Sequence, residues 1–303
     1  MFFARLLLGF LVLTVVCISK ADTQPRCTSY SSSWLGKTVS FCIQRSRNDL
    51  PNLNEPVVYF LHGLGGNESS WSREYYLKAL VDLVSHDSNF PAITFISFET
   101  ELDSFFSDFD GVEVGPKAYE SWFINDFIPF IEEKFLVCKE RACRGIAGLS
   151  MGGFGALKMA LKHPNMFSVG AANSPALPPF SIHESNELWK EYFSDTKVGI
   201  VKGMLLLRDI RRIFPSEKLY QANNPISLVE NFSSSNIFPS LYFDVGSEDN
   251  FGFQVGYQNF KTVLDLNEYP YSSFMENGGD HFIYHHRNKD LLKFIRDWAL
   301  RIY

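Results

Sequence analysis

A serine lies between two glycines in the segment Gly148-Leu149-Ser150-Met151-Gly152. An apolar run, 144–149, comes directly before this serine, and a helical pattern comes directly after it. A strand that turns sharply into a helix lifts a serine hydroxyl clear of the sheet, and flanking glycines remove Cβ atoms that would clash. The helix N-terminus also favours negative charge beside the serine. The segment therefore predicts a nucleophile for acyl transfer, rather than a glycine-rich loop with a spare serine.

A second glycine-rich segment, His62-Gly63-Leu64-Gly65-Gly66, follows the apolar run 56–61. A tetrahedral acyl intermediate needs two backbone N–H donors, one after the nucleophile and one from a loop beyond an earlier strand. We expect Met151 and Leu64 to supply these donors. His62 is interpreted as a structural hydrogen-bonding residue. The alternative for the whole segment is an ordinary strand-to-helix turn.

The acid and the base of such a site follow the nucleophile along the chain, in that order. Asp249 lies just beyond the predicted strand 240–245 and is the preferred acid, with Glu248 and Asp244 as alternatives. His281 follows a pair of glycines after the next predicted strand, in a loop able to bring an imidazole over Ser150. These positions predict a Ser–His–Asp series.

The elements that must position these residues alternate between strands and helices. Continuous apolar runs indicate strands buried on both faces, whereas helical spacing of apolar residues indicates amphipathic helices. Strands are predicted at 56–61, 92–98, 144–149, 167–172, 240–245 and 269–274, and helices at 69–86, 117–135, 153–163 and 290–302. A mostly parallel, doubly wound α/β sheet with helices on both faces follows, and its ligands bind beyond the strand carboxyl ends.

Two further segments depart from this alternation. Residues 27–46 alternate in polarity around a Gly-Lys turn and predict an antiparallel edge hairpin. Residues 177–232 lack strand signals and predict a helical insertion over one end of the sheet.

The N-terminus is typical of a signal peptide, with Arg5 before the apolar run 6–16 and small residues preceding a cleavage site after Ala21. The run is shorter than the roughly 20 residues of a comfortable membrane span. An uncleaved anchor and a lipoprotein modified at Cys17 are the alternatives. The expected mature chain is a single domain over 22–303, secreted or periplasmic, with no stable membrane span.

The mature chain keeps four cysteines, an even number that suggests two disulfides in an exported protein. We favour Cys27–Cys42 and Cys138–Cys143 because each pair is close in sequence. Free buried thiols are the alternative, and a zinc site is disfavoured because no histidine lies at ligand spacing.

The charge distribution excludes one class of function. The net charge is −6, and no cluster of basic residues provides a footprint for nucleic acid. No motif indicates a metal or an organic cofactor. The sequence carries no sign of an oligomeric state.

Five segments together resemble the Putative esterase (esterase D-like) family, which includes S-formylglutathione hydrolase, feruloyl and enterochelin esterases and mycolyltransferases. They are YFLHGLGGNESSW (59–71), YESWFINDFIPFIEEKF (119–135), GLSMGGFGAL (148–157), DVGSED (244–249) and GGDH (278–281). The resemblance implies an α/β-hydrolase fold and a triad of Ser150, Asp249 and His281. It also implies Leu64 and Met151 as oxyanion donors.

The resemblance and the motifs together predict a secreted serine esterase acting on a small-molecule or polymer-linked ester. An acyltransferase that passes the acyl group to a sugar or lipid hydroxyl is one alternative. A non-catalytic binding protein on the same fold is another. The signal peptide and cysteines differ from the cytosolic S-formylglutathione hydrolases, which argues against a glutathione substrate.

Overall fold

The computed structural model describes residues 24–47, 55–73, 76–135, 137–282 and 285–303. The predicted signal peptide and the lipidation alternative at Cys17 lie outside these residues. Within the described ranges, no helix combines the length and the apolar character needed to cross a bilayer.

One sheet of eight strands forms the centre of the fold, in the order β1-β2-β4-β3-β5-β6-β7-β8. Strand β2 is antiparallel to both β1 and β4, and the remaining pairs are parallel. The predicted edge hairpin and the mostly parallel sheet are therefore confirmed. The strands are β1 (Arg26–Ser32), β2 (Lys37–Arg45), β3 (Val57–Leu61), β4 (Thr94–Phe98), β5 (Arg144–Leu149), β6 (Val169–Asn173), β7 (Ser240–Gly246) and β8 (Tyr271–Glu276).

Helices connect most of the parallel strands. A π-helical turn at Phe123–Phe127 joins two of them into one continuous segment. The helices are α1 (Ser70–Arg73), α2 (Tyr76–His86), α3 (Tyr119–Trp122), α4 (Ile128–Lys134), α5 (Met151–Lys162), α6 (Asn186–Ser194), α7 (Gly199–Ile213), α8 (Glu217–Gln221), α9 (Pro225–Glu230), α10 (Gln254–Leu266) and α11 (His285–Ala299).

Two apolar cores lie on opposite faces of the sheet, which makes it doubly wound. Helices α2 and α11 cover one face, where Leu80 and Ile295 pack near Phe60 of β3. Helices α4, α5 and α10 cover the other face, where Leu157 and Phe260 belong to the larger core. All five residues of β3 are buried, as its uninterrupted apolar sequence predicts.

Both predicted disulfides are present, Cys27–Cys42 and Cys138–Cys143. Cys27 and Cys42 are directly opposite each other in the β1–β2 ladder. Cys138 and Cys143 flank the short turn that leads into β5. The first disulfide links the edge strand β1 to β2. The second links the two ends of the short turn before β5, the strand that Ser150 follows.

The segment between β6 and β7 is helical, as predicted, but most of its individual helices were not placed from the sequence. The segment 177–232 contains α6, α7, α8 and α9, of which the sequence pattern identified only a stretch near α6. Helix α10 was also missed, and α11 begins at His285 rather than at Asp290. Helices α7 and α10 bury Gly203 and Gly256, and α11 buries Arg287, which weakens the periodicity of the apolar pattern.

Candidate active site

Ser150 lies at the sharp turn between β5 and α5. Its backbone has φ 55° and ψ −114°, a strained conformation for a residue with a side chain. The turn is fixed because Ser150 N–H donates to the Asn173 carbonyl at 3.0 Å and the Ser150 carbonyl accepts from Ala176 N–H at 3.0 Å. A Cβ at Gly148 would lie 2.3 Å from the Gly152 carbonyl oxygen, and one at Gly152 would lie 2.0 Å from the Leu61 carbonyl oxygen. Only glycine fits at positions 148 and 152.

The structure brings Ser150, His281 and Asp249 into one hydrogen-bonded series. His281 Nε2 is 2.9 Å from Ser150 Oγ, and His281 Nδ1 is 2.7 Å from Asp249 Oδ2. Asp249 and His281 are both buried. Each residue follows the carboxyl end of a strand, β5, β7 or β8, so three distant parts of the chain meet at one edge of the sheet.

The loop after β7 fixes the orientation of both the acid and the histidine. The second carboxylate oxygen of Asp249 accepts the Phe251 N–H at 2.8 Å. The side chain of Asn250 accepts the His281 N–H at 3.1 Å. The rings of Phe251 and Phe253 lie 4.7 and 5.6 Å from the imidazole. These supporting residues were not among the predicted site residues, although their position beside the candidate acid was a usable signal.

The two alternative acids face elsewhere. Glu248 is exposed and forms an ion pair with Lys197 at 3.0 Å. Asp244 is fully buried within β7 and forms an ion pair with the buried Arg287. Burial raises the pKa of Asp244, and the charge of Arg287 opposes that shift. Neither carboxylate is the partner of His281 in this structure.

Arg287, which was not among the predicted site residues, connects the histidine loop with the serine turn. Its guanidinium donates to the Ser174 hydroxyl at 2.7 Å and to the Asp280 carbonyl at 3.3 Å. Ser174 follows Asn173, whose carbonyl accepts the Ser150 N–H. The signal was present in α11, because Arg287 shares the helical spacing of the buried Leu291 and Ile295. A charged residue on an apolar face needs a buried counter-ion.

The predicted oxyanion loop lies against the serine turn. A Cβ built on Gly63 would lie 3.7 Å from the Ser150 Cβ, so the loop approaches the nucleophile closely. Gly66 N–H donates to the Gly63 carbonyl at 2.9 Å, which closes a tight turn with Leu64 at its tip. Met151 is the first residue of α5, where backbone N–H groups have no acceptor within the helix.

His62 holds this loop from the buried side. Its Nδ1 lies 2.8 Å from the Gly63 carbonyl, and its Nε2 accepts the Thr100 N–H at 3.3 Å. These contacts require the neutral tautomer with the proton on Nδ1. Burial lowers the pKa of His62 to about 4, because the charged imidazolium would lose its hydration. His62 is therefore a structural residue in this geometry.

This low pKa predicts acid-dependent destabilisation. The unfolded chain binds a proton at His62 near pH 6.5, whereas the folded chain does so only near pH 4. The stabilisation is therefore fully present above pH 6.5 and is lost as the pH falls to about 4. Between pH 6.5 and about 4, we expect the free energy of unfolding of the wild type to fall by about 3 kcal/mol more than that of the His62→Asn variant. Urea titrations at several pH values measure this difference, and equal pH dependence in the two proteins would contradict it.

Metal binding at this edge of the sheet has no support in the described residues. Across those ranges, no group of three or more His, Cys, Asp or Glu side chains is arranged to hold a metal ion.

The eight-stranded sheet, the serine turn and the Ser–His–Asp arrangement define the class as an α/β-hydrolase fold. The chain belongs to the Putative esterase family, whose model matches residues 33–289. This family assignment and the fold agree with the resemblance inferred from the sequence.

The chain is also similar to individual known proteins, and the solved structures among them share its fold. The esterase Rv1288 of Mycobacterium tuberculosis strain H37Rv is 27% identical over 241 residues, 75% of this chain and 49% of that protein. A solved ferulic acid esterase has a TM-score of 0.68 at 19% identity, covering 93% of this chain and 99% of its own. A fluorophosphonate-binding serine hydrolase of Staphylococcus aureus, FphF, has a TM-score of 0.64 at 19% identity and covers 92% and 98%. The chain spans about half the length of the first curated relatives it matches.

Proposed function

We propose that this chain is an exported serine esterase that hydrolyses carboxylic esters through an acyl-enzyme. The observation that carries the proposal is the hydrogen-bonded series in which His281 Nε2 lies 2.9 Å from Ser150 Oγ. A hydroxyl, an imidazole and a carboxylate in this order are the groups that activate a serine nucleophile. The substrate is a small-molecule or polymer-linked ester.

In the first step, His281 takes the proton of Ser150 as its Oγ attacks the ester carbonyl carbon. Asp249 stabilises the resulting imidazolium and holds its tautomer. The N–H groups of Leu64 and Met151 donate to the carbonyl oxygen as it becomes negative. His281 then gives the proton to the leaving alcohol, and the serine keeps the acyl group.

In the second step, a water molecule attacks the acyl-enzyme. His281 accepts a proton from this water, and the acid product leaves as the proton returns to Ser150 Oγ. An alcohol in place of water would make the same enzyme an acyltransferase. Analysis of the products formed with an added alcohol separates hydrolysis from transfer.

Export is part of the proposal. The apolar run 6–16 and the small residues before position 22 fit a cleavable signal peptide. The two disulfides support an oxidising compartment, because cytosolic thiols are kept reduced.

A fluorophosphonate probe tests the nucleophile directly. We expect a single adduct by intact mass, mapped by peptide sequencing to Ser150, and a burst of p-nitrophenol from p-nitrophenyl acetate. The Ser150→Ala protein, checked by circular dichroism, should remain unlabelled. An adduct on another serine, or a folded wild-type protein that takes up no probe, would contradict the proposal.

A further inference from the structure

Helix α7 lies beside the candidate active site from one end to the other. Before its first residue, Val198 N–H donates to the Asn250 carbonyl at 2.9 Å, and Asn250 also holds His281. Near its last residue, Arg212 forms an ion pair with Asp103. Fifteen helical residues span about 22 Å, so α7 extends from the histidine loop to the segment beside the oxyanion loop.

One side of α7 exposes apolar residues along this path. Val201, Leu205 and Arg212 lie on one side of α7, because Leu205 and Arg212 follow Val201 by four and eleven residues. The Arg212 guanidinium donates to Asp103 Oδ2, so the C-terminal end of this side lies near Asp103. Val201 and Leu205 are 75% and 46% exposed, so the other described residues leave their aliphatic surface largely uncovered.

The segment facing the C-terminal end of α7 is aliphatic as well. Leu64 and Leu102 are 50% and 62% exposed, and the Leu102 carbonyl accepts the Gly65 N–H at 2.9 Å. Leu102 therefore lies beside the oxyanion loop. Clustered exposed apolar residues next to a site indicate a surface that is covered when a ligand binds.

A cavity of about 370 Å³ continues this surface past Arg212. Its lining includes the apolar residues Phe109, Val112 and Val114 and the charged residues Asp110, Lys117 and Arg212. Val112 and Val114 are 52% and 67% exposed, so the cavity is open to solvent, and Arg212 of α7 forms part of its lining. The accessible surface of this cavity is mostly apolar, which suits a hydrocarbon chain better than a sugar, because a sugar needs several polar partners.

We propose that the exposed apolar residues of α7 and of the oxyanion loop, together with this cavity, bind the aliphatic chain of a medium- or long-chain ester. This inference rests on the proposed esterase activity. Full burial of a methylene group contributes about 0.8 kcal/mol, which is roughly fourfold in binding. A surface that covers half of each methylene therefore gives about twofold per carbon.

Two series of esters test this inference and identify which side of the ester carries the chain. One series is the p-nitrophenyl esters of acetate, butyrate, octanoate and dodecanoate, and the other is the alkyl acetates from methyl to octyl. We expect kcat/KM to rise at least tenfold over two-carbon to eight-carbon chains in one series. The variant V201S/L205S should reduce this ratio about tenfold.

The matched control is Ile237→Ser, which removes an apolar side chain that is 69% exposed just before β7, at the opposite end of the strands. Its chain-length profile should equal that of the wild type. A flat profile in both series, with acetate still hydrolysed, would overturn this inference alone. A preference kept in V201S/L205S, or one appearing only above the critical micelle concentration, would also overturn it. A wild type unable to hydrolyse acetate and unlabelled at Ser150 would instead overturn the esterase proposal.

Discussion

Replacement of Asp249 by asparagine is expected to lower kcat for ester hydrolysis by about 10⁴-fold. One oxygen of Asp249 accepts the Phe251 N–H at 2.8 Å, and the other lies 2.7 Å from His281 Nδ1. In the Asp249→Asn protein, the amide oxygen would stay at Phe251, and the amide nitrogen would face His281. The imidazole would then carry its proton on Nε2, where it can no longer accept the proton of Ser150.

Glu248→Gln is the matched control, because Glu248 neighbours Asp249 but pairs with Lys197 at the surface. We expect its kcat to stay within about twofold of the wild type. Stopped-flow and steady-state assays with p-nitrophenyl acetate measure both proteins. A loss below tenfold in Asp249→Asn, or an equal loss in Glu248→Gln, would show that His281 depends on a different acid.

Strand order made the candidate residues of the site predictable. Ser150, Asp249 and His281 each follow a predicted strand, and parallel strands end at one edge of the sheet. The choice between Asp249 and Asp244 required the direction of each side chain. Asp244 points into the core because Arg287, 43 residues further along the chain, supplies its counter-charge. A single sequence contains no record of that pairing.

Buried charges were the part of the fold that periodicity could not predict. Lys158 is fully buried in α5, although a lysine in a helix is ordinarily exposed. Its ammonium donates to the Phe106 carbonyl at 2.6 Å and to Glu120 at 2.8 Å. Both partners come from distant segments, so the local pattern of α5 carries no sign of them.

Helix α10 and the bounds of α7 within the predicted helical insertion escaped prediction for a related reason. In α7, Gly203 packs so closely on α6 that a Cβ would lie 2.3 Å from the Phe193 ring. In α10, a Cβ on Gly256 would lie 2.0 Å from the Leu177 carbonyl oxygen. Glycine weakens intrinsic helix propensity, so tertiary packing decides these helices.

Replacement of Arg287 by methionine is expected to destabilise the fold by about 3–5 kcal/mol. Both Arg287 and Asp244 are fully buried, and Arg287 Nε donates to Asp244 Oδ1 at 3.1 Å. Methionine fills similar volume but leaves the carboxylate without its counter-charge. Without Arg287 the pKa of Asp244 rises further, so the loss in the free energy of unfolding should shrink as the pH is lowered.

Arg296→Met is the matched control on the same helix, because Arg296 pairs with Asp87 and Asp297 at the partly exposed surface. Such pairs contribute about 1 kcal/mol or less.

The double variant Arg287→Met with Asp244→Asn removes the uncompensated negative charge and should recover part of the lost free energy of unfolding. Urea denaturation followed by circular dichroism measures all three. Equal destabilisation by Arg287→Met and Arg296→Met would contradict this account. A double variant no more stable than Arg287→Met would instead show that Arg287 acts through its bonds to Ser174 and Asp280, which hold the serine turn and the histidine loop together.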